Sequence, residues 1–342
     1  MISRICESDR QYADPGRYLG YGTAGYRAKS SLLNRCFFRV GLVVAMRARS
    51  VGNRCGVMIT ASHNHHADNG IKIVEPDGSM LNIEWEPFSE LIVNAVDLAA
   101  ILREVQNSSA HGMLQDNDQL FGVKPMPEDV ASAVQVFMAM DTRASSPELI
   151  AAVKHGLDAL GVSYRDLGLL TTPQLHYQVA ASADSATDFT NAFRDFVDLC
   201  KSNQAAPLQN YEPSLVLDCA NGVGALPMHG IVKALRGYLE IELVNTNTNE
   251  PELLNEGCGA EFVHKDAKLP TGVDANSPKK AACFDGDADR LMYFKNLGEK
   301  PVIIDGDKQF CLLMLYITCL LKELGIEDRV SNVLVNTAYA NS

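Results

Sequence analysis

Gly56-Val57-Met58-Ile59-Thr60-Ala61-Ser62-His63-Asn64-His65-His66-Ala67-Asp68-Asn69-Gly70-Ile71-Lys72 is an apolar run that ends abruptly in a polar cluster. The apolar run Gly56–Thr60 is too short for a helix and reads as a buried strand, so the cluster lies at its carboxyl end. In open α/β sheets ligands bind there, because side chains and free backbone N–H groups converge. Working outward, apolar runs of strand length alternate with longer stretches of helical spacing, the order of βαβ units. Strands are predicted at Gly56–Thr60, Val134–Met140, Ser214–Cys219, Ala281–Phe284, Pro301–Ile304 and Val330–Val335. Helices are predicted at Asn34–Arg49, Glu84–Leu102, Pro147–Leu160, Ala186–Lys201 and Lys308–Leu324. The fold class is therefore α/β, with a mostly parallel sheet flanked by helices in each domain.

A chain of 342 residues, 46% hydrophobic and 21% charged, has the composition of a globular protein of two or three domains. Seams are expected near Thr171-Thr172-Pro173 and Asn296-Leu297-Gly298, dividing the chain into 1–171, 172–296 and 297–342. The last segment holds too few elements to enclose a core and reads as incomplete. Thirty basic against 42 acidic residues give a net charge of −12, which argues against nucleic acid and anionic membranes as partners. A phosphorylated substrate would then need a metal ion and a few cations gathered in one cleft. Nine cysteines show no C-x-x-C pair and read as reduced core thiols. No apolar window is long enough for a membrane span or a signal sequence, and the expected location is cytoplasmic.

Ser62 stands between small Ala61 and His63, a donor or proton carrier, as a phosphate-accepting hydroxyl requires. The bland alternative is that Ser62 and Asn64 cap a following helix, with Asn69-Gly70 as a turn. His65 and His66 read as solvent-exposed. A second short strand runs into Asp285-Gly286-Asp287-Ala288-Asp289-Arg290. Three carboxylates at alternate positions repel one another unless a cation sits among them, and all-oxygen ligation suits Mg²⁺. Arg290 adds a fixed donor beside the metal. An EF-hand fails, since its glycine and glutamate positions hold Arg290 and Asn296. An aspartate-nucleophile phosphatase using Asp285 stays open. Tyr21-Gly22-Thr23-Ala24-Gly25-Tyr26-Arg27 is a third loop, able to bring Arg27 to the same anion.

Thr60–Asn64 (T-A-S-H-N), Asp285–Arg290 (D-G-D-A-D-R) and Gly22–Arg27 (G-T-A-G-Y-R) resemble the α-D-phosphohexomutases. The resemblance extends from about Tyr21 to the last residue and is most like the family's N-acetylated amino-sugar branch, through Gly168–Tyr177, Asp218–Leu226, Cys258–Val263 and Thr337–Asn341. It implies consecutive domains with mixed, mostly parallel sheets. It also implies that Ser62 is a phosphoserine and that one Mg²⁺ is held by Asp285, Asp287, Asp289 and the serine phosphate. By the same likeness Arg27, Arg290 and His63 act on the phosphoryl group, and Thr23, Asn64 and Lys72 bind substrate phosphate. The implied reaction interconverts N-acetylglucosamine 6-phosphate and 1-phosphate through a hexose 1,6-bisphosphate, in UDP-N-acetylglucosamine synthesis.

Two departures stand out. His65 replaces the proline usual after T-A-S-H-N, and the sequence stops before the family's sugar-recognition and distal-phosphate loops. The expectation is therefore a truncated N-terminal part, poorly active alone and with apolar surface exposed after Pro301. A non-catalytic product that keeps the fold is the rival reading.

Overall fold

The computed structural model describes residues 1–22, 25–107, 128–181, 186–202, 212–276, 280–296 and 300–326. The chain builds two five-stranded mixed sheets, each covered by helices, the first and fifth of which in chain order are α1 (Ile2–Asp9) and α5 (Glu128–Ala133). The first is formed by β1 (Tyr26–Lys29), β2 (Cys55–Ile59), β3 (Asp68–Val74), β4 (Gln135–Met140) and β5 (Ser163–Leu169), in the order β1-β3-β2-β4-β5. β2, β4 and β5 run parallel, whereas β3 runs antiparallel to both β2 and β1. The second consists of β6 (Ser214–Asp218), β7 (Glu240–Val244), β8 (Lys280–Phe284), β9 (Leu291–Asn296) and β10 (Pro301–Ile304), ordered β10-β9-β8-β6-β7. Here too the parallel pairs β7-β6-β8 are extended by an antiparallel hairpin. Pro301–Ile304, expected in a third segment, thus forms the edge of the second sheet.

Side-chain alternation fixes the layers. Val57, Ile59, Ile71, Ile73, Val136 and Met138 face α2 (Asn34–Val51) and α6 (Ser146–Leu160), whereas Met58, Val74, Phe137 and Ala139 face α7 (Thr172–Ala180). With both faces buried, the strands read as continuous apolar runs rather than alternating ones. Gly41 on α2 and Gly156 on α6 let these helices touch: a Cβ at Gly41 would lie 2.4 Å from the Val153 carbonyl oxygen. α2 ends where Gly52 turns left-handed at φ 60°. In the second sheet Leu215, Leu217 and Ala282 pack under α8 (Ala186–Ser202) and α9 (Ala225–Leu235). Val216, Ala281 and Cys283 pack against α10 (Gly259–Asp266).

Several expectations are corrected. Glu84–Leu102 is two helices, α3 (Trp85–Val93) and α4 (Leu98–Asn107). The break is held because Arg39 Nη1 donates to the carbonyls of Val93 and Ala95, while Asn94 Nδ2 donates to Leu19 O and Glu90 O. No helix follows Ser62 and Asn64; the chain returns as β3, so the capping alternative fails. Asn69-Gly70 lies inside that strand rather than in a turn. Gly70 is required there, since a Cβ would sit 2.5 Å from Tyr26 O and 2.6 Å from Thr60 O. Thr171-Thr172-Pro173 opens α7 through a capping box between Thr171 and Gln174. Cys311 and Cys319 are exposed, unlike the six buried cysteines. The helix α11 (Gly306–Glu323) leaves Leu312, Leu315 and Tyr316 exposed. Among the described residues no helix is long and apolar enough to cross a membrane. The strand expected at Val330–Val335 and residue Thr23 lie outside the described residues.

Candidate active site

Four carboxyl strand ends converge. Ser62 follows β2, Asp141-Thr142-Arg143 follows β4, Thr171-Thr172 follows β5, and the acidic loop follows β8. The loops are joined directly: Thr172 N–H donates to Asp287 O at 3.1 Å, and Ser62 Oγ donates to Asp285 Oδ2 at 2.5 Å. Two motifs separated by 223 positions in sequence thus meet at one oxygen pair.

The acidic loop is built by its small residues. Ala288 turns left-handed at φ 57°, and a Cβ at Gly286 would lie 2.7 Å from the Ser62 carbonyl oxygen. One carboxylate oxygen from each of Asp285, Asp287 and Asp289 lies within 4.8 Å of the others. Asp287 Oδ2 accepts from Lys72 Nζ at 2.9 Å and from Thr172 Oγ1 at 2.6 Å, and Asp289 Oδ2 accepts from Lys72 Nζ at 2.7 Å. Burial opposes the Asp287 charge, yet Lys72 and Thr172 hold its carboxyl well below the usual carboxylate range. Burial also opposes the charge on Lys72, but Asp287 and Asp289 keep the ammonium protonated. Asp285 is pushed the other way, well above the ordinary value, by burial and by repulsion from Asp289 and Asp287.

This set fits a divalent cation. Asp287 Oδ1 is buried without a hydrogen-bond partner among the described residues, and the raised Asp285 marks a cluster short of positive charge. A hard oxygen-seeking ion answers both features.

Around the acids stand the expected cations. Arg290 Nε lies 3.7 Å from Asp285 Oδ2, and its Nη1 lies 3.4 Å from Glu261 Oε2. Arg27, on β1, is within the electrostatic reach of all three aspartates, and its Nε is buried without a partner among the described residues. His63 Nδ1 is likewise buried and unpartnered among them. Burial first, then Arg290, pushes the His63 pKa down to about 4, so the ring is neutral near pH 7 and its protonated form is disfavoured there.

Of the sequence-predicted residues, Ser62, His63, Arg27, Arg290, Lys72, Asp285, Asp287 and Asp289 are brought together. Asn64 is not: its Nδ2 donates to Asp68 Oδ2 at 3.2 Å within its own loop. His65 is exposed and His66 half-buried, with rings 4.1 Å apart in a turn that brings neighbouring side chains together. Sequence reasoning misses Thr172, Glu261, Arg143 and Asn255. Asp141-Thr142-Arg143, a polar triplet at the end of a predicted strand, carries the same positional signal as Ser62 and could have been found by it.

The family profile for phosphoacetylglucosamine mutase AMG1, domain II, matches residues 177–292. The profile for phosphoglucomutase/phosphomannomutase, alpha/beta/alpha domain I, matches 42–95 and 123–188. The phosphoacetylglucosamine mutase of Homo sapiens is 35% identical over 352 residues, covering 99% of this chain and 61% of its own length. The chain thus spans about three-fifths of the length of such relatives. The Aspergillus fumigatus N-acetylphosphoglucosamine mutase, crystallised with GlcNAc-6P and magnesium, superposes with a TM-score of 0.81 at 32% identity, covering 99% of this chain and 62% of that one. A serine-to-alanine variant of the Aspergillus fumigatus enzyme was crystallised with glucose 1,6-bisphosphate; that structure has a TM-score of 0.81 at 30% identity, covering 96% and 60%. An apo-form N-acetylglucosamine-phosphate mutase, of the α-D-phosphohexomutase superfamily, gives 0.79 at 31% identity, covering 100% of this chain and 73% of that one.

Proposed function

We propose a function from one premise: the chain belongs to the phosphoacetylglucosamine mutase family of the α-D-phosphohexomutases. It carries the phosphoryl-transfer end of a cytoplasmic mutase that interconverts N-acetylglucosamine 6-phosphate and 1-phosphate through a hexose 1,6-bisphosphate, serving UDP-N-acetylglucosamine synthesis. In this reading the serine loop belongs to a domain expected over 1–171, which α7 extends by packing on the first sheet, and the acidic loop to one expected over 172–296, which β10 extends as the edge of the second sheet; the remainder of 297–342 belongs to a sugar-binding part. The observation that carries the proposal is the 2.5 Å contact between Ser62 Oγ and Asp285 Oδ2, which sets a hydroxyl against the acidic cluster.

Ser62 Oγ attacks the phosphorus of the donor ester, so the Oγ–P bond forms as the bond from phosphorus to the sugar oxygen breaks. The hydroxyl proton leaves Oγ and the sugar oxygen takes one up; Asp285, which already accepts from Oγ, is the group placed to take it, and His63 stays neutral beside the phosphoryl group. Arg27 and Arg290 neutralise the equatorial phosphoryl oxygens and Thr23 binds the substrate phosphate, whereas Lys72, expected to join it there, is buried against Asp287 and Asp289 and neutralises the acidic loop. Asn64 acts through the loop it ties to Asp68. Asp285, Asp287 and Asp289, with the serine phosphate, would hold one Mg²⁺, which when bound supplies charge neutralisation at the phosphoryl group.

The test is label transfer from phosphorus-labelled glucose 1,6-bisphosphate to the chain in magnesium. Protein labelling matched one to one by released hexose monophosphate is expected. Release of inorganic phosphate without labelled protein would contradict a mutase half-reaction.

A further inference from the structure

Ser62 is buried and sits in left-handed backbone at φ 52°, a conformation that costs a non-glycine residue free energy unless its surroundings impose it. Its two peptide groups are held at both ends. The Ser62 N–H donates to Thr60 Oγ1 at 2.8 Å, and that hydroxyl donates to Asp141 Oδ2 at 2.8 Å. The Ser62 carbonyl oxygen accepts from Arg143 Nη2 at 2.9 Å and from Asn255 Nδ2 at 3.0 Å. The Asn64 carbonyl accepts from the same two nitrogens, at 3.0 and 3.2 Å.

Four of the five N–H groups of Arg143 go to carbonyls of this loop. Its Nη1 donates to His65 O at 2.9 Å and Asp68 O at 3.1 Å, and its Nε donates to Asp141 Oδ2 at 2.9 Å. A guanidinium has five N–H groups, and all five are used, on a side chain that is 0% exposed. A lysine there would have three donors at one point and could not span the same four carbonyls. Asn255 comes from the other side of the site. It lies between β7 and α10, its own N–H donates to Ala220 O at 3.0 Å, and its backbone is left-handed at φ 60°. Gly286 completes the fit, because any Cβ there would lie 2.7 Å from the Ser62 carbonyl oxygen and 3.1 Å from Asn255 Nδ2.

We propose that Arg143 and Asn255 are positioning residues of the phosphoryl transfer, fixing Ser62 by its own carbonyl oxygen from the first and the second sheet respectively. The inference rests on the reaction proposed above. Neither side chain contacts Ser62 Oγ; they act by setting the backbone that aims it. The aim of the hydroxyl therefore depends on the contact between the loops of the two sheets, and not on β2 alone. A misplacement of about 1 Å at a reacting atom is enough to cost roughly a hundredfold in rate.

The test measures, on the whole chain, the rate of label transfer from glucose 1,6-bisphosphate as a function of its concentration, together with amide hydrogen exchange. Asn255→Ala removes one neutral donor, and its maximal rate should fall roughly tenfold, with the half-saturating concentration within about twofold of the parent. Arg143→Lys keeps the charge but loses the fork, and should fall by roughly a hundredfold. Exchange should accelerate in the peptide 61–68 of both variants and stay unchanged in the helix 34–51. Should Arg143→Lys fail to fold, Asn255→Ala decides. Parental maximal rate and parental loop exchange in Asn255→Ala would overturn the proposal, as would a loss confined to the half-saturating concentration. If the parent chain itself takes no label, the proposed reaction fails, and exchange alone decides whether these side chains set the loop: acceleration confined to 61–68 supports that role, and unchanged exchange removes it.

Discussion

Replacing Lys72 with methionine removes an ammonium that lies 2.9 Å from Asp287 Oδ2 and 2.7 Å from Asp289 Oδ2. The lysine side chain is 2% exposed and that of Asp287 is 0% exposed, so water cannot take over the lost contact. Breaking a buried pair by deleting one partner costs about 3–5 kcal/mol, because a charge is left behind without compensation. Methionine fills the stem's volume, so the loss is electrostatic rather than a cavity. At about 2.1 cal/mol/K of unfolding entropy per residue, a chain of 342 residues moves its thermal midpoint by only about 1.4 °C per kcal/mol, which places the Lys72→Met midpoint roughly 4–7 °C below the parent in chelator. Excess MgCl₂ should narrow that gap. The variant's three carboxylates no longer share their charge with an ammonium, so the ion adds more stability to the variant than to the parent. Thermal unfolding of both proteins, with chelator and with magnesium, gives the four midpoints needed. Equal midpoints in chelator would refute the claim that Lys72 neutralises this cluster, and midpoints that excess magnesium leaves unchanged in both proteins would refute the claim that a divalent ion occupies it.

Asp287→Ala deletes the ligand whose Oδ1 has no partner among the described residues, and titration calorimetry should show magnesium affinity reduced by roughly a hundredfold or more. Unchanged affinity would remove the metal assignment. The buried Asp9 accepts from Arg39 Nε at 2.8 Å and from Arg35 Nη2 at 2.6 Å; burial opposes its charge, yet these two arginines hold its pKa below the ordinary value. A depressed carboxylate contributes stability that is present above its unfolded pKa of about 4 and lost as pH falls through the folded value. Acid unfolding should therefore steepen below about pH 4, and Asp9→Asn should be less stable at neutral pH and lose this part of the acid dependence. Parallel stability-against-pH curves for the two proteins would contradict that account.

Much of the site is legible in the sequence because its chemistry is local. Asp285, Asp287 and Asp289 are crowded by two-residue spacing alone, and Ser62 follows an apolar run that could only be a buried strand. What is not legible depends on tertiary approach. β3 reads as part of a polar loop because Asp68-Asn69-Gly70 carries turn residues, yet the strand forms since Gly70 lets the Tyr26 and Thr60 carbonyls come close. The break between α3 and α4 is imposed by Arg39, more than fifty residues away in the chain. Thr172 and Asn255 have no unusual spacing of their own; they matter because α7 abuts the Asp287 backbone and because Asn255 reaches the Ser62 carbonyl. No sequence period encodes such contacts. β1, β5, β7 and β9 escape the sequence reading for a related reason, being strands of mixed polarity recruited to sheets whose central strands are apolar.

The central claim, that Ser62 is the group that carries the phosphoryl, is tested most directly by finding where the phosphate goes. The chain is incubated with a hexose 1,6-bisphosphate and magnesium, digested, and its peptides are weighed and fragmented. The geometry predicts phosphate on Ser62, within the Gly56–Lys72 segment, and its loss in Ser62→Ala. Phosphate on Asp285 instead, retained in Ser62→Ala, would contradict the account and make the acidic loop a nucleophile rather than a metal cradle.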